Sequence, residues 1–212
     1  MKQLNEMKRP LAIFLIWLFH ISAIIGITIG NKDWFLSKTP MNLSLSLFLF
    51  LWVFSMDSIK KAALFALFFA MGMFAEWLGV NYQLLFGTYA YGANFGPQLD
   101  GVPWLIGCFW ALLAFISFTI AQKLPFHKYG NLVIGALLMV FLDYLMELNA
   151  PNFAFWEFEG TVPLKNYVTW FFLGLIMQLL LWLNKIGGDK LFSLNLYLAQ
   201  FVFFLYFAFV RV

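Results

Sequence analysis

With 63% hydrophobic residues, 11% charged and a mean hydropathy of +0.84, this 212-residue chain has too few charges to cover the surface of a soluble domain. Its net charge of +3 is spread through short loops, with no basic cluster interleaved with stacking aromatics, which excludes a nucleic-acid binder. The single cysteine, Cys108, excludes an internal disulfide and a thiolate metal site, and the distant His20 and His127 are expected in structural or interfacial roles.

Taken in chain order, hydropathy predicts spans at about 10–29, 41–56, 61–79, 102–121, 130–148, 166–184 and 191–210. A helix crossing a hydrocarbon core of ~30 Å needs about 20 residues. Lys8 and Arg9 precede the first run as in a signal peptide, but the run is long and lacks a small-x-small cleavage site. It is expected to be a retained anchor. Pro40 and the group Asp57, Lys60 and Lys61 confine the second span, which is the shortest. The fold expected is all-α: a polytopic transmembrane bundle of about seven helices, forming one integral membrane domain over residues 1–212.

Lysine and arginine set the expected orientation. With the N-terminus inside, the inner segments hold Lys2, Lys8, Arg9, Lys60, Lys61, Lys123, Lys128, Lys185 and Lys190. The outer ones hold Lys32, Lys38, Lys165 and Arg211, so the C-terminus is expected outside. That topology brings three acidic residues to one side. Glu76 lies near the outer end of the third span, and Asp143 and Glu147 lie on one face of the fifth, about 6 Å apart along the axis. A charge at mid-bilayer costs on the order of 2.5–3.5 kcal/mol, so such residues face the bundle interior and mark function.

Two aromatic loops flank these carboxyls. Asn81 to Asp100 has no lysine or arginine but contains Tyr82, Phe86, Tyr89, Tyr91 and Phe95 among Gly87, Gly92, Gly96 and Pro97; Asn149 to Lys165 contains Phe153, Phe155, Trp156 and Phe158. They read either as an interfacial aromatic belt or as lid-like loops over a pocket for something flat and apolar. An internal echo accompanies them. Val102-Pro103 precedes Trp110, and Val162-Pro163 precedes Trp170, at identical spacing, each after a glutamate-bearing helix. This fits a helix–loop–helix unit used twice, with Glu76 and Glu147 facing one another across a cavity.

Burial disfavours an ionised carboxyl, and two carboxyls sharing a site disfavour double ionisation further. A carboxylic acid held neutral in a ring-lined cavity is suited to protonate an isoprenoid alkene. Aromatic faces stabilise the resulting tertiary cation, water captures it, and a second carboxylate takes the water proton. No nucleotide loop, aspartate-rich diphosphate motif or zinc spacing is present, and no cofactor or metal is expected.

The run Glu76-Trp77-Leu78-Gly79-Val80-Asn81, then Phe86-Gly87-Thr88-Tyr89-Ala90-Tyr91-Gly92, Gly96-Pro97-Gln98-Leu99 and Gly101-Val102-Pro103-Trp104, resembles the membrane carotenoid hydratase family, which includes the bisanhydrobacterioruberin hydratases. A second block agrees: Leu142-Asp143, Glu147, Phe155-Trp156, Val162-Pro163-Leu164-Lys165-Asn166-Tyr167 and Trp170. The resemblance covers roughly residues 72 to 170. It departs from the family pattern at Leu148, where proline is expected, and at Phe109, where relatives often carry a polar residue. What the resemblance implies is carotenoid biosynthesis: hydration of the terminal double bond of an acyclic carotenoid end, giving a tertiary alcohol, by a hydro-lyase. Asp143 and Glu147 are then expected as acid and base, with Glu76 as the opposing carboxyl. Tyr89, Tyr91, Trp156 and Tyr167 are expected to line the substrate and steady the cation, and Trp110 and Trp170 to face it; Asn166 positions water. The partners implied are the acyclic carotenoid, water, the lipid of a bacterial or archaeal cytoplasmic membrane, and other carotenoid-pathway enzymes. Rival readings are an end-group cyclase, a proton-coupled carrier and a non-catalytic subunit of a pigment-synthesis complex.

Overall fold

Helix dominates the computed structural model, which describes residues 2–54 and 56–210. Among the described residues there are eight α-helices: α1 Lys2–Thr28, α2 Lys32–Leu36, α3 Thr39–Phe54, α4 Ile59–Tyr82, α5 Trp104–Ala121, α6 Lys128–Glu147, α7 Leu164–Leu183 and α8 Lys190–Phe209. Their limits follow local chemistry. Ser58 caps α4 by accepting from the Lys61 amide, and Asp189 caps α8 by accepting from the Phe192 amide. Gln83, in the left-handed region at φ 57°, ends α4. Pro103 and Pro163 stand extended just before α5 and α7, where a missing N–H costs nothing. The repeated Val-Pro pair thus opens two returning helices.

Six helices are long and apolar enough to cross a bilayer, while α3, at 16 residues, is shorter. At 1.5 Å per residue α3 reaches only about 24 Å. Its ends nonetheless lie at opposite ends of the bundle. Pro40 lies against Gly96 in the loop after α4, and Phe54 lies against Gly188 in the turn before α8. Arg9 pairs with Asp189 at 3.3 Å at one end, and Thr28 meets the Tyr206 hydroxyl at 3.1 Å at the other. Helix α1 therefore starts at one end of the bundle and α8 finishes at the other.

The core is organised around α5, which packs against α3, α4, α6, α7 and α8 and is buried on nearly every side. A helix apolar all round belongs in such a position. The outer helices instead show large apolar side chains to the surroundings, among them Phe14, Phe74, Phe141 and Phe172. So wide an exposed apolar surface suits lipid and not water. This is an integral membrane helical bundle.

The long loops contain short strands that hydropathy does not reveal. In the first loop, β1 (Tyr89–Tyr91) is followed by β2 (Gln98–Leu99) and β3 (Val102–Pro103); the second loop contributes β4 (Trp156–Phe158). Strands β2 and β3 form a hairpin whose turn, Asp100-Gly101, has both residues at positive φ, 48° and 81°. Strands β1 and β4 pair antiparallel across the two loops: Tyr89 with Phe158, Ala90 with Glu157, Tyr91 with Trp156. The loops are thereby joined into one lid.

Gly92 holds that joint closed. Its N–H donates to the Phe155 carbonyl at 2.8 Å, and a methyl group there would stand 2.3 Å from the Ala154 carbonyl oxygen. Backbone faces backbone, so no side chain is available to swing aside. Gly92→Ala is expected to cost roughly 1–3 kcal/mol and to part the loops. A lowered unfolding temperature of the purified protein checks this; an unchanged one would show that the loops yield freely.

Candidate active site

Glu76 sits on α4 between two glycines on the same face, Gly72 one turn before and Gly79 one turn after. A Cβ at Gly72 would meet Trp110 at 2.7 Å, and one at Gly79 would meet the Tyr89 hydroxyl at 2.6 Å. These gaps let three donors reach a buried carboxyl. Trp110 Nε1 donates to Glu76 Oε1 at 2.8 Å, while the Tyr91 hydroxyl, at 2.8 Å, and the Tyr89 hydroxyl both donate to Oε2. Tyr89 and Tyr91 converge because residues two apart on a strand share a face. Burial, and next the carboxyl of Glu76, push both phenols well above the usual tyrosine range, so they remain donors.

The paired strand supplies the other half. Trp156, opposite Tyr91, shares that inward face and donates Nε1 to Glu147 Oε2 at 2.8 Å; Ala90 and Glu157 between them point outward and are exposed. Asp143 and Glu147 lie one turn apart on α6 and are both buried. Asn166, in the first turn of α7, bridges them: its Nδ2 donates to Asp143 Oδ2 at 3.2 Å and to Glu147 Oε1 at 3.3 Å.

All three carboxyls line one hollow with Tyr89, Tyr91, Trp156, Asn166 and Trp170. Its volume is about 20 Å³, room for a single water. No salt bridge among the described residues involves these acids. Lys165, the lysine nearest them in sequence on this side, gives its ammonium to the Gln83 carbonyl at 3.2 Å. Nor does any group of His, Cys, Asp or Glu among the described residues stand ready for a metal ion. The donors around the acids are Trp, Tyr and Asn. Trp110 and Trp170 stack at 3.5 Å between ring centroids, 11° from parallel. The two positions of the Val-Pro…Trp echo therefore meet face to face, next to glutamates from the two preceding helices. The segments α4–loop–α5 and α6–loop–α7 thus meet at this pair of rings.

Residues 38–212 match the family described as carotenoid biosynthesis protein. The chain belongs to that family. None of the curated proteins matches it, and none of the solved structures does.

In this carotenoid biosynthesis protein, a much larger apolar space lies beside the carboxyl hollow. It measures about 420 Å³ and is bounded by α1, the α2–α3 segment and α8. Phe109 and Met146 line both this bay and the carboxyl hollow. From sequence alone both residues read as core. Tyr167 lies elsewhere than the sequence suggests. It lines a shallow, open groove along α6, its ring 5.9 Å from that of Tyr144. On a helix, one step beyond Asn166 turns the side chain by about 100°, away from the face that Asn166 and Trp170 share. Cys108 is half-buried.

Proposed function

We propose that this carotenoid biosynthesis protein adds water across the terminal double bond of an acyclic carotenoid end group. The observation that carries the reading is three buried carboxyls converging on a hollow that has room for one water. A carboxyl O–H bond breaks as its proton bonds to the less substituted alkene carbon, and the π pair is consumed in that bond. The neighbouring carbon becomes a tertiary cation, which the faces of Tyr89, Trp156 and Trp170 stabilise. Water oxygen bonds to this carbon and passes a proton to a second carboxylate. Return of that proton to the first carboxyl restores the protein. Asp143 and Glu147, one turn apart and held by the same Asn166 nitrogen, are well placed for the return. In this reading the carboxyl end of the bundle faces outward and the N-terminus inward.

A cyclase would start with the same protonation but use an internal alkene to capture the cation, folding the chain into a ring at the carboxyls. Expression in a lycopene-producing host, followed by mass analysis of the pigments, separates the two. Hydration is expected to give products heavier by one or two waters. A product of unchanged mass and altered retention would establish cyclisation in its place.

A further inference from the structure

The proposed acid–base chemistry leaves the 420 Å³ bay without a role, although the bay is within the usual range for small-molecule sites. A carotenoid-sized molecule cannot lie in the hollow, so the body of the substrate needs another place. Two spaces of similar size exist. The groove along α6, about 480 Å³, is wide open and touches none of the three acids. The bay is more enclosed, lies at the same end of the bundle as the carboxyls, and is lined mostly by apolar and aromatic side chains such as Phe19, Ala23, Phe95 and Phe203. Gln200, nearly fully buried, also lines it, and its Oε1 has no hydrogen-bond partner.

What separates bay from hollow is thin. Phe109 from the central helix and Met146 from α6 line both spaces, and Phe109 borders a third, of about 10 Å³, beside Cys108. A methionine has three rotatable bonds and repacks readily. A ring with small voids on its other side has room to turn.

We propose that the bay holds the polyene chain of the acyclic substrate, and that Phe109 and Met146 form the doorway through which its terminal isoprene unit reaches Glu76, Asp143 and Glu147. This inference rests on the reading that the reaction occurs at those carboxyls, but not on water being the nucleophile. It makes Phe109 a positioning residue and assigns α1, through Ala23, a share in substrate binding.

The test uses the full chain purified from a host that makes an acyclic polyene, in a Glu147→Gln background that stops turnover. Bound pigment per protein is read from its visible absorbance. The Glu147→Gln protein is expected to retain polyene. Adding Ala23→Phe, which fills the bay, should lower retention about tenfold or more, while Ile25→Phe, on the exposed face of the same helix and outside the bay, leaves it unchanged at equal membrane yield. Phe109→Trp, placed in the otherwise native chain, should still bind polyene yet lose product, because the doorway is blocked. Absence of pigment from the Glu147→Gln protein would overturn the proposal. So would equal retention with Ala23→Phe, or full product from Phe109→Trp. Should the native chain return a cyclised product while Ala23→Phe still abolishes retention, hydration fails and the bay stands.

Discussion

Asp143→Asn is expected to remove the hydrated product while leaving the protein inserted and close to native stability. Among the described residues, Asp143 accepts a hydrogen bond at Oδ2 alone, from Asn166, and an asparagine oxygen serves that contact equally well. What the substitution takes away is the ability to give or take a proton, worth roughly 10²- to 10⁴-fold in rate. Glu147→Gln should lose product to a similar degree at a larger cost in stability. Both oxygens of Glu147 accept, from Trp156 and from Asn166, so a glutamine must point its NH₂ at one of these donors. Glu76→Gln is expected to be the most disruptive, because three donors converge on its two oxygens. An unsatisfied buried donor costs about 1–3 kcal/mol. Pigment mass analysis, normalised to protein in the membrane, together with unfolding temperatures, gives both orders. Unchanged product with all three acids neutralised would end the acid–base reading.

Trp110→Ala is expected to be the most destabilising single substitution, at roughly 3–5 kcal/mol. Trp110 is fully buried, packs against the gap left by Gly72, stacks on Trp170 and bonds to Glu76. Truncation opens a cavity where the two helix–loop–helix units meet. Trp110→Phe separates packing from hydrogen bonding. It keeps a ring against Trp170 but leaves Glu76 Oε1 without its donor, and should cost about 1–3 kcal/mol. Thermal unfolding of the purified variants measures both. If Trp110→Ala unfolds like the native protein, the stacked pair does not hold the units together.

Several features of the site were legible because their signals are local. Hydropathy runs located the helices, and helix periodicity put Asp143 and Glu147 on one face. Alternation of spans brought Glu76 to the same end. The identical Val-Pro…Trp spacing singles out Trp110 and Trp170, and the two rings stack. The lid was less legible. Its strands β1 and β4 are three residues each, too short for alternation to stand out, and their register joins loops far apart in the chain.

Sequence by itself determined that this chain lives in lipid, how often it alternates, and which acidic groups are kept there despite their cost. Those properties are fixed by composition and by spacing along single helices. Tertiary structure alone decided which donors meet each acid, that the hollow takes one water, that α5 forms the centre, and that Phe109 and Met146 divide hollow from bay. The physical reason is that a hydrogen bond such as Trp110 to Glu76, or a wall shared by two cavities, depends on how separate helices close against each other. An apolar residue reads the same from sequence whether it faces lipid, core or an empty space.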